Sequence, residues 1–461
     1  MKAKSSVLKI IFCLAWPTVV EQILTTAVSY VDTAMVGRLG ASASAAVGCT
    51  MTVNWLLNSL VSAVGVGFLA FIAREMGAGH PQMAKRAAAQ AVTLAVLAGL
   101  IITVPALLLY KQIPKWMQAD VLIQKEASTY FFILYTPMIF RSAIIVFSTV
   151  LRASGDTKTP MRVNIATNLI NVVLNWFLIY ETRAGQLFGE SITLHGAGLG
   201  VTGAAIASAI AFVIGGFWIT LSLYKSRISP RHISLKPDKA ILVPCFKVAL
   251  PSCLQRLATC MGYVVFSGMI NGLGAVATAA HSIANTAESA FYIPGWGMQT
   301  AASTLIGNAY GAEDKAQMRS LSRMLLIIEF IVMTLSGALL FVFAGSIMRI
   351  FTQDEAVIAA GARVLKLVAL SEPIYGIAII IEGIFNGVGD TLHTFIFNAL
   401  GMWGIRILGA YIFVIRLGGG LTQAWLCMIA HNAALGIMLI LRYRYGKWNP
   451  LGTERGFAAS K

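Results

Sequence analysis

The sequence predicts an all-α integral membrane protein of twelve transmembrane helices, built as two six-helix lobes that repeat in parallel. Three observations lead there. Of the 461 residues, 57% are hydrophobic and 12% charged, with a mean hydropathy of +0.76; a soluble chain carries roughly 25% charged residues. Twelve apolar runs long enough to cross a bilayer divide the chain. A single offset of 234 residues lays much of the first half on the second. The net charge of +16 does not point to nucleic acid, because the basic residues fall in short loops between runs.

The runs lie at 10–36, 46–73, 87–109, 129–151, 161–181, 196–223, 240–270, 276–307, 321–345, 362–388, 394–416 and 420–441. With the N-terminus inside, the inner segments hold 23 Lys and Arg and the outer loops 9. By the positive-inside rule both termini are then cytoplasmic. Arg227, Arg231, Lys236, Lys239 and Lys247 make the central loop the strongest contributor. Lys2, Lys4 and Lys9 precede a run too long for a signal sequence, so the first helix is expected to stay. The six cysteines form no CxxC pair and read as small apolar residues rather than metal ligands or disulfides.

At the 234-residue offset Pro17 falls on Pro251, Leu39-Gly40 on Leu273-Gly274, and Gly77-Ala78 on Gly311-Ala312. Gly155-Asp156-Thr157 falls on Gly389-Asp390-Thr391, and Asn164 on Asn398. Beyond the fifth run the offset drops to 220, leaving 14 extra residues around TRAGQLFGESITLHG in the first half. The expected organisation is an N-lobe over 1–225, a cytoplasmic interlobe loop over 226–239, a C-lobe over 240–445 and a cytoplasmic tail over 446–461. Six spans per copy give both copies the same orientation, related by an axis along the membrane normal. Pro17, Pro251 and the IPGWG at 293–297 are expected to break or kink their helices.

The repeat also serves as a control, since a site built in one copy need not occur in the other. Asp32 stands opposite Phe266. Glu21, Thr25, Ser29 and Asp32 share one side of the first helix. An ionised carboxylate at the centre of a lipid-facing helix costs about 2.5–3.5 kcal/mol, so this side should face the bundle interior. The fifth run offers a matching stripe, Asn164, Asn168, Asn171 and Asn175, of which only the first recurs; the others become Met402, Ile405 and Gly409.

Such a partly desolvated carboxylate can load a proton on the acidic side and release it on the other. Alternatively, Asp32 with the carbonyl oxygens of Asn171 and Asn175 could ligate Na⁺. The bland readings are an interfacial Asp32 near Arg38, and an Asn stripe that merely glues helices together. In the second half Arg256, Glu288, Glu382 and Arg406 are expected to neutralise one another in pairs, with Glu288 and Glu382 as further candidates for substrate contact. Tyr30, Trp296, Met298 and Trp403 are candidates to line an apolar cavity. No HExxH, GxSxG or His cluster supports an enzyme.

The stretch VDTAMVGRLG after Pro17 resembles the first-helix signature of the multidrug and toxic compound extrusion (MATE) family, within the MOP superfamily. LRASGDTKTPM, its echo FNGVGDTLHTF, and YIPGWGMQTAASTLIGNAYGA are similar to other family segments. The resemblance spans about 10–445. It implies a twelve-helix secondary antiporter exchanging H⁺ or Na⁺ for organic cations and amphipathic drugs. It further implies a coupling aspartate at Asp32, fifth-helix partners at Asn171 and Asn175, and a sixth-helix hydroxyl at Ser208. Acids that NorM-type members carry in helices seven and ten are replaced by Thr259 and Tyr375, so the chain looks DinF-like, with Glu382 as the candidate substitute. The resulting expectation is a monomeric multidrug efflux antiporter of the cytoplasmic membrane, with no cofactor beyond the coupling ion. A lipid-linked oligosaccharide flippase of the same superfamily is the alternative, though such a cargo calls for a cluster of cleft-facing cations.

Overall fold

The structure is a computed structural model that describes residues 2–117, 119–187, 190–449 and 451. The long apolar runs fold as helices because a backbone in lipid must satisfy its own hydrogen bonds. The first three are α1 (Lys2–Gly37), α2 (Ala41–Gly77) and α3 (Pro81–Leu109). A single turn, α4 (Ile113–Trp116), leads to α5 (Val121–Tyr135) and α6 (Met138–Ala153), one span bent by 53° at Thr136-Pro137. Then come α7 (Lys158–Ile179) and α8 (Gly200–Lys225).

The second half repeats the plan with α9 (Lys239–Asn271), α10 (Ala275–Phe291), α11 (Ile293–Gly311) and α12 (Lys315–Phe351). The eighth run is divided at Tyr292, with Pro294 in the first turn of α11, where its missing N–H costs nothing. α13 (Glu355–Ala369) and α14 (Glu372–Val388) form a second bent span, of 57°. The eleventh span begins as α15 (Thr391–Ala399), loosens into π-helical turns at Leu400–Ile407 and Tyr411–Arg416 around the short α16 (Leu408–Ala410), and is followed by α17 (Leu421–Tyr445). α1 and α9 run unbroken through Pro17 and Pro251. The extra residues of the first half fall in a hairpin of β1 (Glu181–Leu187) and antiparallel β2 (Glu190–Ala197). Most of the 446–461 tail lies outside the described residues.

The repeat is visible in the backbone. Gly40 and its counterpart Gly274 adopt φ of 111° and 98°, and Gly155 and Gly389 adopt 90° and 88°. Asn164 donates to Ser148 Oγ at 3.4 Å, and the residues 234 positions on, Asn398 and Glu382, make the corresponding bond. The two copies also touch each other at matched positions. A Cβ on Gly77 would collide with the Asn308 carbonyl oxygen, and one on Gly311 with that of Arg74. Between those contacts, a Cβ on Gly307 would meet the Ala73 Cβ at 2.8 Å. Residues 73, 74 and 77 are the 234-residue partners of 307, 308 and 311, so this is a local two-fold contact.

By contacts the chain forms two compact units whose limits differ from those of the repeat. One comprises Met1–Ile23, Leu69–Ala84 and Val243–Lys461; the other comprises Leu24–Phe68 and Lys85–Leu242. The first has two apolar cores, one around Phe266, Leu340, Leu365 and Trp425, the other around Ile11, Ile306, Ile384 and Phe385. In the second unit Met35, Val36, Val47, Ile179 and Val201 pack together. The interlobe loop is tied to α3 there: Gln90 donates to the Lys236 carbonyl at 2.8 Å, and Arg86 pairs with Asp238 at 2.5 Å.

Candidate functional site

The sequence-predicted stripes on the first and fifth spans meet side by side. Asn168 donates to Thr25 Oγ1 at 3.1 Å, and two turns further on Asn175 donates to Asp32 Oδ1 at 2.7 Å. Asp32 is half-buried, whereas Asn171 and Asn175 are 6% and 2% exposed. The apolar core of this unit holds the arrangement at one end, where Met35, Val36 and Ile179 are buried and the Tyr180 hydroxyl donates to the Met35 carbonyl at 3.0 Å.

Ser208 joins the group because α7 and α8 approach closely. A Cβ at Gly203 would collide with the Leu178 carbonyl oxygen, and one at Gly215 with Thr167 Oγ1. Glycine at both ends of the contact lets the backbones close. The Asn171 amide then bridges Asp32 and Ser208. With its NH₂ toward Asp32 it stands 2.8 and 3.0 Å from the two carboxylate oxygens, and its carbonyl receives the Ser208 N–H at 3.2 Å and hydroxyl at 3.0 Å. The opposite orientation donates to Ser208 Oγ at 3.0 Å and accepts from Asn175 at 3.3 Å.

Asp32, Asn168, Asn171, Asn175 and Ser208 are therefore brought together. Tyr30 is 40% exposed, and Glu21 is 6% exposed on the stretch of α1 that belongs to the other unit. The first-half cation Arg141 is held by a neutral cluster: it donates to Asn54 Oδ1 at 2.8 Å, which also accepts from the Tyr135 hydroxyl at 3.1 Å, and it lies over the Phe212 ring at 4.6 Å.

In the second half Arg256 lies within electrostatic reach of Glu382 and Arg406 within reach of Glu288, without closing to a salt bridge. Glu382 accepts from Gln255 at 3.4 Å, Gln299 at 3.3 Å and Asn398. Arg406 is 2% exposed and boxed by aromatic rings, 4.1 Å from the Phe266 centroid and 4.8 Å from that of Tyr263, with one N–H on the Met428 sulfur at 3.0 Å. Arg256 is exposed and Glu288 is 4% exposed. Among the described residues no ion pair joins any two of these four. Amides satisfy a carboxylate without a second desolvated charge, and ring faces satisfy a guanidinium.

Two acids escaped the sequence reading. Glu329 on α12 is fully buried, with neither oxygen hydrogen-bonded among the described residues, and Glu372 at the start of α14 is 1% exposed. The signal for Glu329 was present, a lone acid in the ninth apolar run.

A family model named MatE matches residues 17–177 and 251–412, once in each half. The chain belongs to the MatE family. Among its MatE relatives, "Probable multidrug resistance protein NorM" of Thermotoga maritima is 28% identical over 94% of this chain and 92% of its own length. "Multidrug export protein MepA" of Staphylococcus saprophyticus is 24% identical over 95% and 94%. A structure described as MATE in the bent conformation aligns with a TM-score of 0.85 at 22% identity, covering 94% of each chain. The fold is thus the twelve-helix, two-lobe MATE fold, and the protein is a multi-pass membrane protein of a transporter family.

Proposed function

We propose that this protein is a secondary active multidrug efflux antiporter that exchanges protons for organic cations and amphipathic drugs. The observation that carries the reading is one-sided: Asp32, held by Asn171 and Asn175 beside Ser208, has Phe266, Ile405 and Gly409 at its repeat positions. A carboxylate confined to one copy is a site rather than a feature of the scaffold. The relatives named for multidrug resistance and export supply the cargo class.

Protonation of Asp32 from the outer side favours drug release there, and deprotonation toward the cytoplasm favours reloading. Proton and drug compete for the same stabilisation, which couples their gradients. Alternating access comes from rocking of the two lobes. A proton is the simpler coupling ion, since Asn175 already donates to Asp32 Oδ1 at 2.7 Å, whereas Na⁺ would require the amides of Asn171 and Asn175 to turn their carbonyl oxygens toward it. A phosphate-bearing flippase cargo is disfavoured, since Arg141 is already occupied by Asn54 and Phe212.

Asp32→Asn should abolish drug resistance in cells while membrane levels of the protein stay normal. Proteoliposomes that exchange a cationic dye under an imposed pH gradient, but not under a sodium gradient, establish the coupling ion. Full resistance in Asp32→Asn eliminates the proposal.

A further inference from the structure

We infer that the second half holds one small inorganic anion, of the chloride class, against the buried guanidinium of Arg406. This goes beyond the proton-coupled reading of Asp32 and does not depend on it.

The repeat shows a reversal of polarity. Phe266 occupies the position of Asp32, and Met428, at the 220-residue offset, occupies that of Ser208. Arg406 contacts both, with its guanidinium 4.1 Å from the Phe266 centroid and one N–H on the Met428 sulfur at 3.0 Å. Its own counterpart in the first half is Val172. One copy thus centres its interior on an acid and the other on a cation. That cation is carried on the π-helical turns of Leu400–Ile407, and such turns occur often at functional sites.

Around Arg406 lie donors with nothing to donate to. Its Nε and the Trp425 Nε1 are buried without a hydrogen-bond partner among the described residues, as are both ring nitrogens of His431 and the Nδ1 of His281. Trp425 and His431 stand on α17, three residues to either side of Met428. His281 of α10 meets Phe266 and Trp425 edge-on, with ring centroids 5.8 Å from each. His431 lies against Gly401, its Nε2 2.9 Å from the place a Cβ there would take. Both imidazoles are within electrostatic reach of Arg406. The residues at the repeat positions of His281, Trp425 and His431 are Val47, Ala205 and Ala211, so this polar cluster belongs to one copy only.

A buried N–H without an acceptor is costly, and a buried charge without a counter-charge more so. The ring faces meet the guanidinium plane but leave its Nε–H without an acceptor. Glu288 is within electrostatic reach of Arg406 and closes no salt bridge with it among the described residues. Water answers such a cluster poorly, because it must donate as well as accept. An anion only accepts, and it supplies the missing charge. Trp425, Arg406 and His431 are 0%, 2% and 6% exposed, so the ion is monatomic rather than a carboxylate-bearing drug.

The purified full-length protein in detergent should bind radioactive chloride saturably, one ion per chain, with gluconate making up the ionic strength. Arg406→Gln should abolish binding. Trp425→Phe, which keeps a ring and removes the N–H, should weaken it about ten-fold. Chloride should also raise the thermal-unfolding midpoint of the wild type, as a ligand of the folded state does, and leave that of Arg406→Gln unmoved. Should Arg406→Gln fail to reach the membrane, Arg406→Lys, which keeps the charge without the Nε–H, carries the test with an expected loss of about ten-fold. No saturable binding in the wild type, or binding unchanged in these variants, overturns the anion site. Either result leaves the Asp32→Asn test of the coupling residue where it stands.

Discussion

Glu329 on α12 is a buried acid and Glu382 on α14 a partly buried one, and their surroundings set opposite expectations. Glu382 is the acceptor for three amides, so Glu382→Leu strands partly buried N–H donors. It should destabilise the protein by about 1–3 kcal/mol or more, read as a lower midpoint of thermal unfolding in detergent. Glu329 has no hydrogen bond to lose among the described residues, and its Oε1 lies 2.6 Å from the place a Cβ on Gly295 would take. Glu329→Met, of similar volume, should leave that midpoint unchanged or raise it, since a buried polar group without partners is a net cost. The difference between them was not legible from sequence, where each is one acid in an apolar run. What separates them is which amides a neighbouring helix presents. For Asp32, by contrast, the amides were legible, because Asn168, Asn171 and Asn175 are spaced as one helical stripe and vanish in the second copy.

At the scale of elements, the GDT sequence that opens the fifth and eleventh spans acts through its glycine. Gly155 and Gly389 adopt left-handed φ of 90° and 88°, and Gly389 terminates α14 in that conformation. After these turns Asp156 accepts from the Thr159 N–H at 3.0 Å, and Asp390 pairs with Arg442 at 2.7 Å. Gly155→Ala and Gly389→Ala should each cost about 1–2 kcal/mol, measured against wild type by thermal unfolding. The cost should be at least as large at 389, where a Cβ would meet Val248 Cγ2 at 3.2 Å, as at 155, where it meets no described atom within 4 Å. Turn residues of this kind are readable because glycine, aspartate and threonine state their backbone preference locally. The π-helical turns of Leu400–Ile407 and Tyr411–Arg416 were not readable. They depend on how the span packs, and no residue type marks them.

For the whole molecule, the twelve runs and their duplication were legible because bilayer thickness fixes span length and a repeat is self-similar at one offset. The limits of the compact units were not, since contacts rather than sequence order decide that Leu69–Ala84 clusters with the second half. The crossing of Gly77 over Asn308 and Gly311 over Arg74 is one reason it does. Gly77→Ala and Gly311→Ala should each destabilise by about 1–3 kcal/mol through overpacking against rigid backbone, and by similar amounts, checked by unfolding of the two single variants side by side.

That crossing is self-complementary, with residue 73 facing 307 and 74 and 77 answered by 311 and 308. Two copies of one six-helix chain would meet in the same way about a dimer's symmetry axis. One polypeptide here contains what is geometrically a subunit interface, and any residue too large for one side of it is equally too large for the other. Duplication has let the coupling groups around Asp32 diverge from their counterparts, but at the seam it has kept Ala73 and Gly307, and Gly77 and Gly311, small.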